Sequence, residues 1–372
     1  TSTPDGSGNL VIAGQYGVLT IGADGEYSYV RNAGTPGGVN DVFTYTLSDG
    51  DTDTDTATLT IQIGNSVPTL GDIPAAGGAD TQVYEAGLPV RGSEPAGSDS
   101  TKQTMADGTI AFTSKDGLGA VSLGGHVLSG DAAHPTEFAD GTRGTVSAYY
   151  TYDAATGAGV IHYAYTLVDN TGDDTSVTYA VDVTDADGQG SGAGHNLVIN
   201  IVDDAPTAHV DVDSVAAGQF TAETGNVITG AGTAGGTANA DVQGADGAHV
   251  SAIKSEYSSA TTSTPDGSGN LVIAGQYGVL TIGADGEYSY VRNTGTPGGV
   301  NDVFTYTLSD GDTDTDTATL TINIGNSVPT LGEIPAAGGA DTQVYEAGLP
   351  VRGSEPAGSD STKQTMADGT IG

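Results

Sequence analysis

Apolar and polar side chains alternate along this chain with a period of two, in short runs that end at Gly, Pro or Asp. In Asp41-Val-Phe-Thr-Tyr-Thr-Leu-Ser-Asp49, the residues Phe43, Tyr45 and Leu47 share one face and the intervening Thr residues the other, as in a half-buried strand. The same alternation predicts strands at 270–274, 277–282, 287–292, 302–309 and 315–324. It does so again at 110–114, 120–123, 145–152, 159–168, 175–182 and 196–202. Ala284-Asp285-Gly286 is a hairpin signal, because Asp-Gly readily takes the positive φ of a tight β-turn. No stretch shows a comparable helical period. Short antiparallel strands with regularly spaced turns predict an all-β chain of β-sandwiches, with a closed barrel as the alternative.

The pattern is written twice. Thr1–Ile110 recurs as Thr262–Ile371 with three changes: Ala33 against Thr294, Gln62 against Asn323, and Asp72 against Glu333. Near-identity at a fixed offset marks a tandem array. Within each period, apolar strands run into short polar strings closed by Pro, a residue that cannot continue a ladder. These strings are IQIGNSVPT ending at Thr69, INIVDDAPT ending at Thr207 and INIGNSVPT ending at Thr330. They divide the chain into a partial module 1–67, a complete first-type module 68–205, a complete second-type module 206–328 and a partial module 329–372. The partial pieces are expected to be the less stable.

Composition narrows the partners. Nine Lys and Arg against 47 Asp and Glu give a net charge of -38, which excludes nucleic acid and disfavours an anionic membrane surface. No run is long and apolar enough to insert in a membrane. Cations are the natural partners. With no cysteine, neither disulfides nor thiolate metal sites hold the fold. High charge and 59 glycines could indicate a solvated, disordered stalk, but 17 tyrosines in register with Val, Ile and Leu supply a core.

The acids are placed by the same parity. Asp41 and Asp49 extend the face of Phe43, Tyr45 and Leu47, while Asp51, Asp53 and Asp55 share the parity of Leu59 and Ile61. Carboxylates therefore replace apolar side chains as the hairpin nears its tip. Same-face neighbours lie about 7 Å apart and repel by roughly 2 kcal/mol at an effective dielectric near 20. The one base in this stretch is Arg31. A loose set of oxygen ligands without His or Cys suits Ca²⁺ better than octahedral Mg²⁺. A plainly solvated hairpin is the alternative.

If the last two strands of a sandwich form this hairpin, its tip points back to the module's entrance and meets the preceding linker. That expectation groups Asp310, Asp312 and Asp314 with Asp203 and Asp204, and Asp185 and Asp187 with Asn65. Asp49, Asp51 and Asp53 are the corresponding tip in the first copy. Glu85 and Glu346, in VYEAGLPV, are secondary candidates.

YGVLTIGADGEYSYV with DVFTYTLSDGDTDTDTATLTI, and YTLVDNTGDDTSVTYAVDVTDADGQG with NLVINIVDDAPT, resemble VCBS-type and related bacterial immunoglobulin-like repeats of giant RTX adhesins. The resemblance implies tandem immunoglobulin-like (cadherin-like) β-sandwich modules in a linear array. It also implies type I secretion and a place at the surface of a Gram-negative bacterium. There the array would be a calcium-rigidified extender that projects a terminal binding domain for attachment or biofilm formation. The nonapeptide GGxGxDxUx of the secretion signal is absent from these residues, and the adhesive target lies outside them. A glycan- or matrix-binding module and a self-associating S-layer component are the other readings.

Catalysis is not expected. Six histidines make no HExxH pair, and Gly230, Gly232 and Gly235 match GxGxxG without a strand-turn-helix context. The paired acids lack the aromatic residues that line a sugar cleft, and Trp is absent.

Overall fold

The computed structural model describes residues 2–371 and is almost entirely β, with three short 3-10 turns as its helical content among those residues. Residues 3–62 form a four-stranded antiparallel sheet, Thr3–Pro4, Leu10–Ala13, Gly17–Ile21 and Tyr27–Arg31 in that order, and a hairpin of Asn40–Ser48 with Thr54–Gln62.

The next strands build a two-sheet sandwich. One sheet runs in the order His126–Val127, Leu118–Leu123, Thr175–Asp185, Asn196–Val202, Gln82–Tyr84. The other runs Thr136–Asp140, Gly144–Asp153, Ala158–Leu167, Met105–Thr113, Thr69–Leu70. Alternate residues point inward, so Ile110, Val121, Leu123, Ile161, Val183 and Ile199 are fully buried between the sheets. A second sandwich follows. Its larger sheet runs Asp211–Val215, Thr315–Ile324, Val300–Asp310, Ala248–Ser255, Thr261–Thr262, and it faces Glu223–Asn226, Glu287–Arg292, Gly278–Ile282 and Leu271–Ala274. Leu280, Tyr290, Phe304, Tyr306, Leu308 and Ile322 fill its core.

In both sandwiches the last strand pairs in parallel with an early one, Asn200–Val202 with Gln82–Tyr84 and Leu320–Ile324 with Asp211–Val215. Strands that run the same way at the start and end of a module put its entrance and exit at opposite ends. The hairpin turn before the last strand consequently lies at the entrance. Residues 329–371 carry no strand, only the 3-10 turn Glu346–Gly348 and an isolated bridge between Arg352 and Glu355.

Candidate metal centre at the module junction

Strand Val300–Asp310 keeps its parity to the end: Asp302, Phe304, Tyr306, Leu308 and Asp310 are all buried. Asp302 is a structural acid. It accepts from the N–H of Gln276 at 2.8 Å, from that of Tyr277 at 3.0 Å and from the Tyr290 hydroxyl at 2.6 Å. Asp310, only 3% exposed, has no hydrogen-bond partner on either carboxylate oxygen. Two buried, unpaired lone-pair groups on one side chain are costly unless something cationic or a proton meets them.

Its neighbours are acids. Oxygen atoms of Asp246, Asp310 and Asp312 lie within 4.8 Å of one another, and Oδ1 of Asp246 and Oδ2 of Asp312 are likewise buried without partners. Asp246 stands just before strand Ala248–Ser255, whose first residue pairs with Asp310. The turn that carries Asp312 holds Thr313 at φ 87°, a left-handed conformation that a β-branched residue adopts only when its surroundings impose it. Thr52, its copy, sits at φ 76°.

The preceding sandwich supplies the other wall. Glu85, 1% exposed, accepts from the backbone N–H and hydroxyl of Thr171 at 2.7 and 2.6 Å. Burial raises its carboxyl above the usual range, and the charges of Asp246 and Asp312 add to the effect. Burial pushes Asp203 up to about 7, with Asp312, Glu85 and Asp314 contributing. Asp310 is also pushed up to about 7, by burial first and then by Asp312 and Asp246. The sandwiches touch beside the acids: Ala245 is buried in the first sandwich's core, and its carbonyl accepts from Arg91 Nη2 at 2.7 Å. The ion pairs of Arg91 stay within its own module, with Glu94 and Asp169.

Of the residues singled out by sequence, Asp310, Asp312, Asp314 and Asp203 come together, and Glu85 joins them. Asp204 does not. Its side chain turns back to accept from the backbone N–H of Ser98 at 2.8 Å and from the Ser98 hydroxyl, which ties the linker to the first sandwich. Glu346 lies in the strandless segment 329–371, apart from any such cluster. Asp49, Asp51 and Asp53 lie within ligand distance of one another but are all exposed, and Asp49 Oδ1 already accepts from the N–H groups of Asp51 and Asp53 at 3.2 and 3.0 Å.

At the earlier junction the Asn65 amide, with its nitrogen toward the acids, donates to Asp187 Oδ2 at 2.8 Å and to Asp116 Oδ2 at 3.2 Å. Asp185 is 2% exposed, with Oδ2 unpartnered, and burial raises its carboxyl, with Asp187 adding to this. Sequence reasoning missed Asp246 and Asp116. Both stand in an Asp-Gly pair immediately before a strand, a signal that could have found them.

The donor set around Asp310 is all oxygen and includes no histidine. It fits a hard divalent cation of flexible coordination, and the four partnerless buried oxygens are what such an ion would satisfy. Asp246, Asp310 and Asp312 would hold it, with Asp203, Asp314 and Glu85 adding negative charge around it from both sides of the junction.

A bacterial Ig domain model matches residues 1–62. No curated protein sequence matches the chain. Among solved structures, the chain is similar to zebrafish RET cadherin-like domains 1 to 4, at 9% identity and a TM-score of 0.23 over 84% of this chain and 64% of that one. It is similar to PcdhgB3 EC1-4 at 11% identity and a TM-score of 0.26, over 85% of this chain and 65% of that one. A 1.5-MDa bacterial ice-binding adhesin, in a structure concerned with host cell surface retention, is similar at 13% identity and a TM-score of 0.22, over 85% of this chain and 91% of that one. The chain thus spans just under two thirds of the first two. At these scores the assignment to tandem β-sandwiches rests on the strand order and burial of the chain itself.

Proposed function

We propose that this chain is a non-enzymatic spacer region of a large bacterial surface adhesin, whose sandwiches are aligned by Ca²⁺ bound where one module's hairpin tip meets the preceding linker. The observation that carries the reading is Asp310: nearly inaccessible, without a partner on either oxygen, and faced by Asp246 and Asp312 with Asp203 and Glu85 beyond. Uncompensated, these charges repel and push the junction apart. A divalent ion turns the same repulsion into a clamp between modules. The match of residues 1–62 to a bacterial Ig domain supports a repetitive bacterial surface role, which a projecting array of such modules would fill. Calcium concentration outside a cell would then set the stiffness of the array and the reach of its terminal binder.

Small-angle scattering and thermal unfolding of the full chain, with calcium and after chelation, test this. Chelation is expected to increase flexibility, seen as a change in maximum dimension, and to lower the melting temperature of the second sandwich. Asp310→Asn with Asp312→Asn should reproduce the chelated state in the presence of calcium. Indifference of both dimension and melting temperature to the chelator would refute the calcium clamp.

A further inference from the structure

The two junctions are built on one plan with different charges. Asp116-Gly117 precedes strand Leu118–Leu123, whose Leu118 pairs with Asp185, as Asp246-Gly247 precedes the strand whose Ala248 pairs with Asp310. Asp185 N donates to Gln189 O just as Asp310 N donates to Asp314 O, so Gln189 occupies the place of Asp314. In the linkers, the alignment of Gln-Ile-Gly-Asn-Ser-Val-Pro with Asn-Ile-Val-Asp-Asp-Ala-Pro puts Asn65 where Asp203 stands. The later junction thus gathers Glu85, Asp203, Asp246, Asp310, Asp312 and Asp314. The earlier one has Asp116, Asp185 and Asp187, with two amides in place of two carboxylates.

The earlier junction also has a base. Arg31 Nη1 forms an ion pair with Asp116 Oδ1 at 3.1 Å, across the module boundary, to an acid that is almost fully buried. The Ser66 backbone N–H donates to the other oxygen of Asp116 at 2.5 Å, and Gly37 and Gly117 sit where a side chain would collide with Asp116 or with the backbone of Gly34. Asp246, the equivalent acid, has no basic partner among the described residues. The arginine is aimed by its own module: Nε donates to Thr35 Oγ1 at 3.0 Å and Nη2 to the Thr35 carbonyl at 2.5 Å. Its copy Arg292 keeps this fork on Thr296, at 3.0 and 2.6 Å, with the Phe220 ring against the guanidinium and no ion-paired acid among the described residues. The guanidinium is therefore oriented before the next module docks.

We propose that the junctions alternate along the repeat: Arg31 clamps the one before a first-type module without needing a metal ion, and a cation clamps the one after it. The second half of this statement rests on the calcium reading above; the first half stands on the arginine alone. A buried carboxylate that loses its cationic partner is left uncompensated, which makes the pair a strong positional constraint. Such an array would soften at every second joint when calcium falls and keep the others aligned.

The chain has no cysteine, so spin labels can be placed in pairs on the full chain at exposed positions. Ser28→Cys with Thr145→Cys spans the earlier junction, and Thr178→Cys with Ala274→Cys spans the later one. Pulsed EPR distance distributions, in calcium and in chelator, are the readout. Chelation is expected to turn the narrow later distribution into a broad one and leave the earlier one narrow. Arg31→Gln should broaden the earlier distribution in both buffers, as should Asp116→Asn, which leaves the arginine's own module untouched. Arg292→Gln, which strips the same threonine contacts from the copy, should leave it narrow. If neither Arg31→Gln nor Asp116→Asn broadens the earlier distribution, or if chelation alone broadens it as much as the later one, the arginine clamp is overturned. A later junction indifferent to chelator counts against the calcium reading, while the Arg31→Gln result still decides the arginine.

Discussion

A single hydroxyl exposes a proton-counting problem in the second sandwich. Tyr306 Oη lies 2.8 Å from the His209 carbonyl, 3.0 Å from both oxygens of Asp241 and 3.4 Å from Asp211 Oδ2, yet it has one hydrogen to donate. If the carbonyl takes that hydrogen, the carboxyl groups must bring their own. Burial pushes Asp211 up to about 7, with Asp241 adding to it, and burial likewise pushes Asp241 up to about 6. Both acids start from 3.8 in the unfolded chain, so the folded form holds protons that the unfolded form has released. Their contribution to stability is full below the unfolded value, declines as pH rises from 3.8 towards 7, and is flat above. Urea unfolding across that window, with calcium saturating so that the junction acids stay paired, should show this decline. Replacing both residues, Asp211→Asn with Asp241→Asn, should flatten it. An unchanged slope in the double variant would assign the protons elsewhere.

At the level of strands, the same Tyr-to-Asp device acts as a latch between sheets. Asp302 sits on Val300–Asp310 in one sheet and takes its three donors from the opposing sheet: Tyr290 on Glu287–Arg292, and Gln276 and Tyr277 in the turn before Gly278–Ile282. Gly275 is needed there, because a Cβ would stand 2.5 Å from Asp302 Oδ2. Tyr290→Phe keeps the ring and removes one donor from a buried carboxylate, so it should cost about 1–3 kcal/mol in chemical unfolding. A cost near zero would mean that the two backbone N–H groups suffice. Strands such as Val300–Asp310 and Thr315–Ile324 were legible in the sequence because their alternation is unbroken. Others were hidden for physical reasons. In Asp211–Val215 the acids Asp211 and Asp213 point inward while Val212 is exposed, which inverts the usual pattern. Glu223–Asn226 has no apolar residue, and in Ala248–Ser255 a bulge between Val250 and Ala252 buries Val250 and Ile253, three apart. The tip acids of the candidate site followed from parity. Asp246 did not, because it lies in an irregular approach that carries no period, and Asp204 was lost to a serine that no pattern announces.

Across the whole molecule, one sequence meets two environments. Residues 73–110 and 334–371 are identical. In the first copy Val83 is fully buried on a strand paired with Asn200–Val202; in the second Val344 is 58% exposed and its segment has no strand. Local interactions persist in both. Thr81 and Thr342 hydroxyls donate to the carbonyls of Ala75 and Ala336, the 3-10 turns Glu85–Gly87 and Glu346–Gly348 form alike, and Arg91 with Glu94 matches Arg352 with Glu355. What the second copy lacks is the last strand of a sandwich to pair with, so the strand itself is a property of the module and not of the segment. The hairpin of residues 40–62 makes the same point: Leu47 is 68% exposed, while its copy Leu308 is fully covered by strands that residues 1–62 do not contain. Limited trypsin digestion separates the two fates. Arg352 and Lys363 lie where nothing but local bonds must open, and cleavage there should be early. Arg91 and Lys102 lie in a connection whose two flanking strands, Gln82–Tyr84 and Met105–Thr113, are held in a packed sandwich, and Arg91 is also bonded to Asp169 and the Ala245 carbonyl, so cleavage there should be slower. Fragment termini distinguish the copies, since cleavage at Lys363 releases only the last residues of the chain. Equal rates at all four sites would mean that the segment orders itself without the sandwich, and that the array's modules are less interdependent than their strand pairing requires.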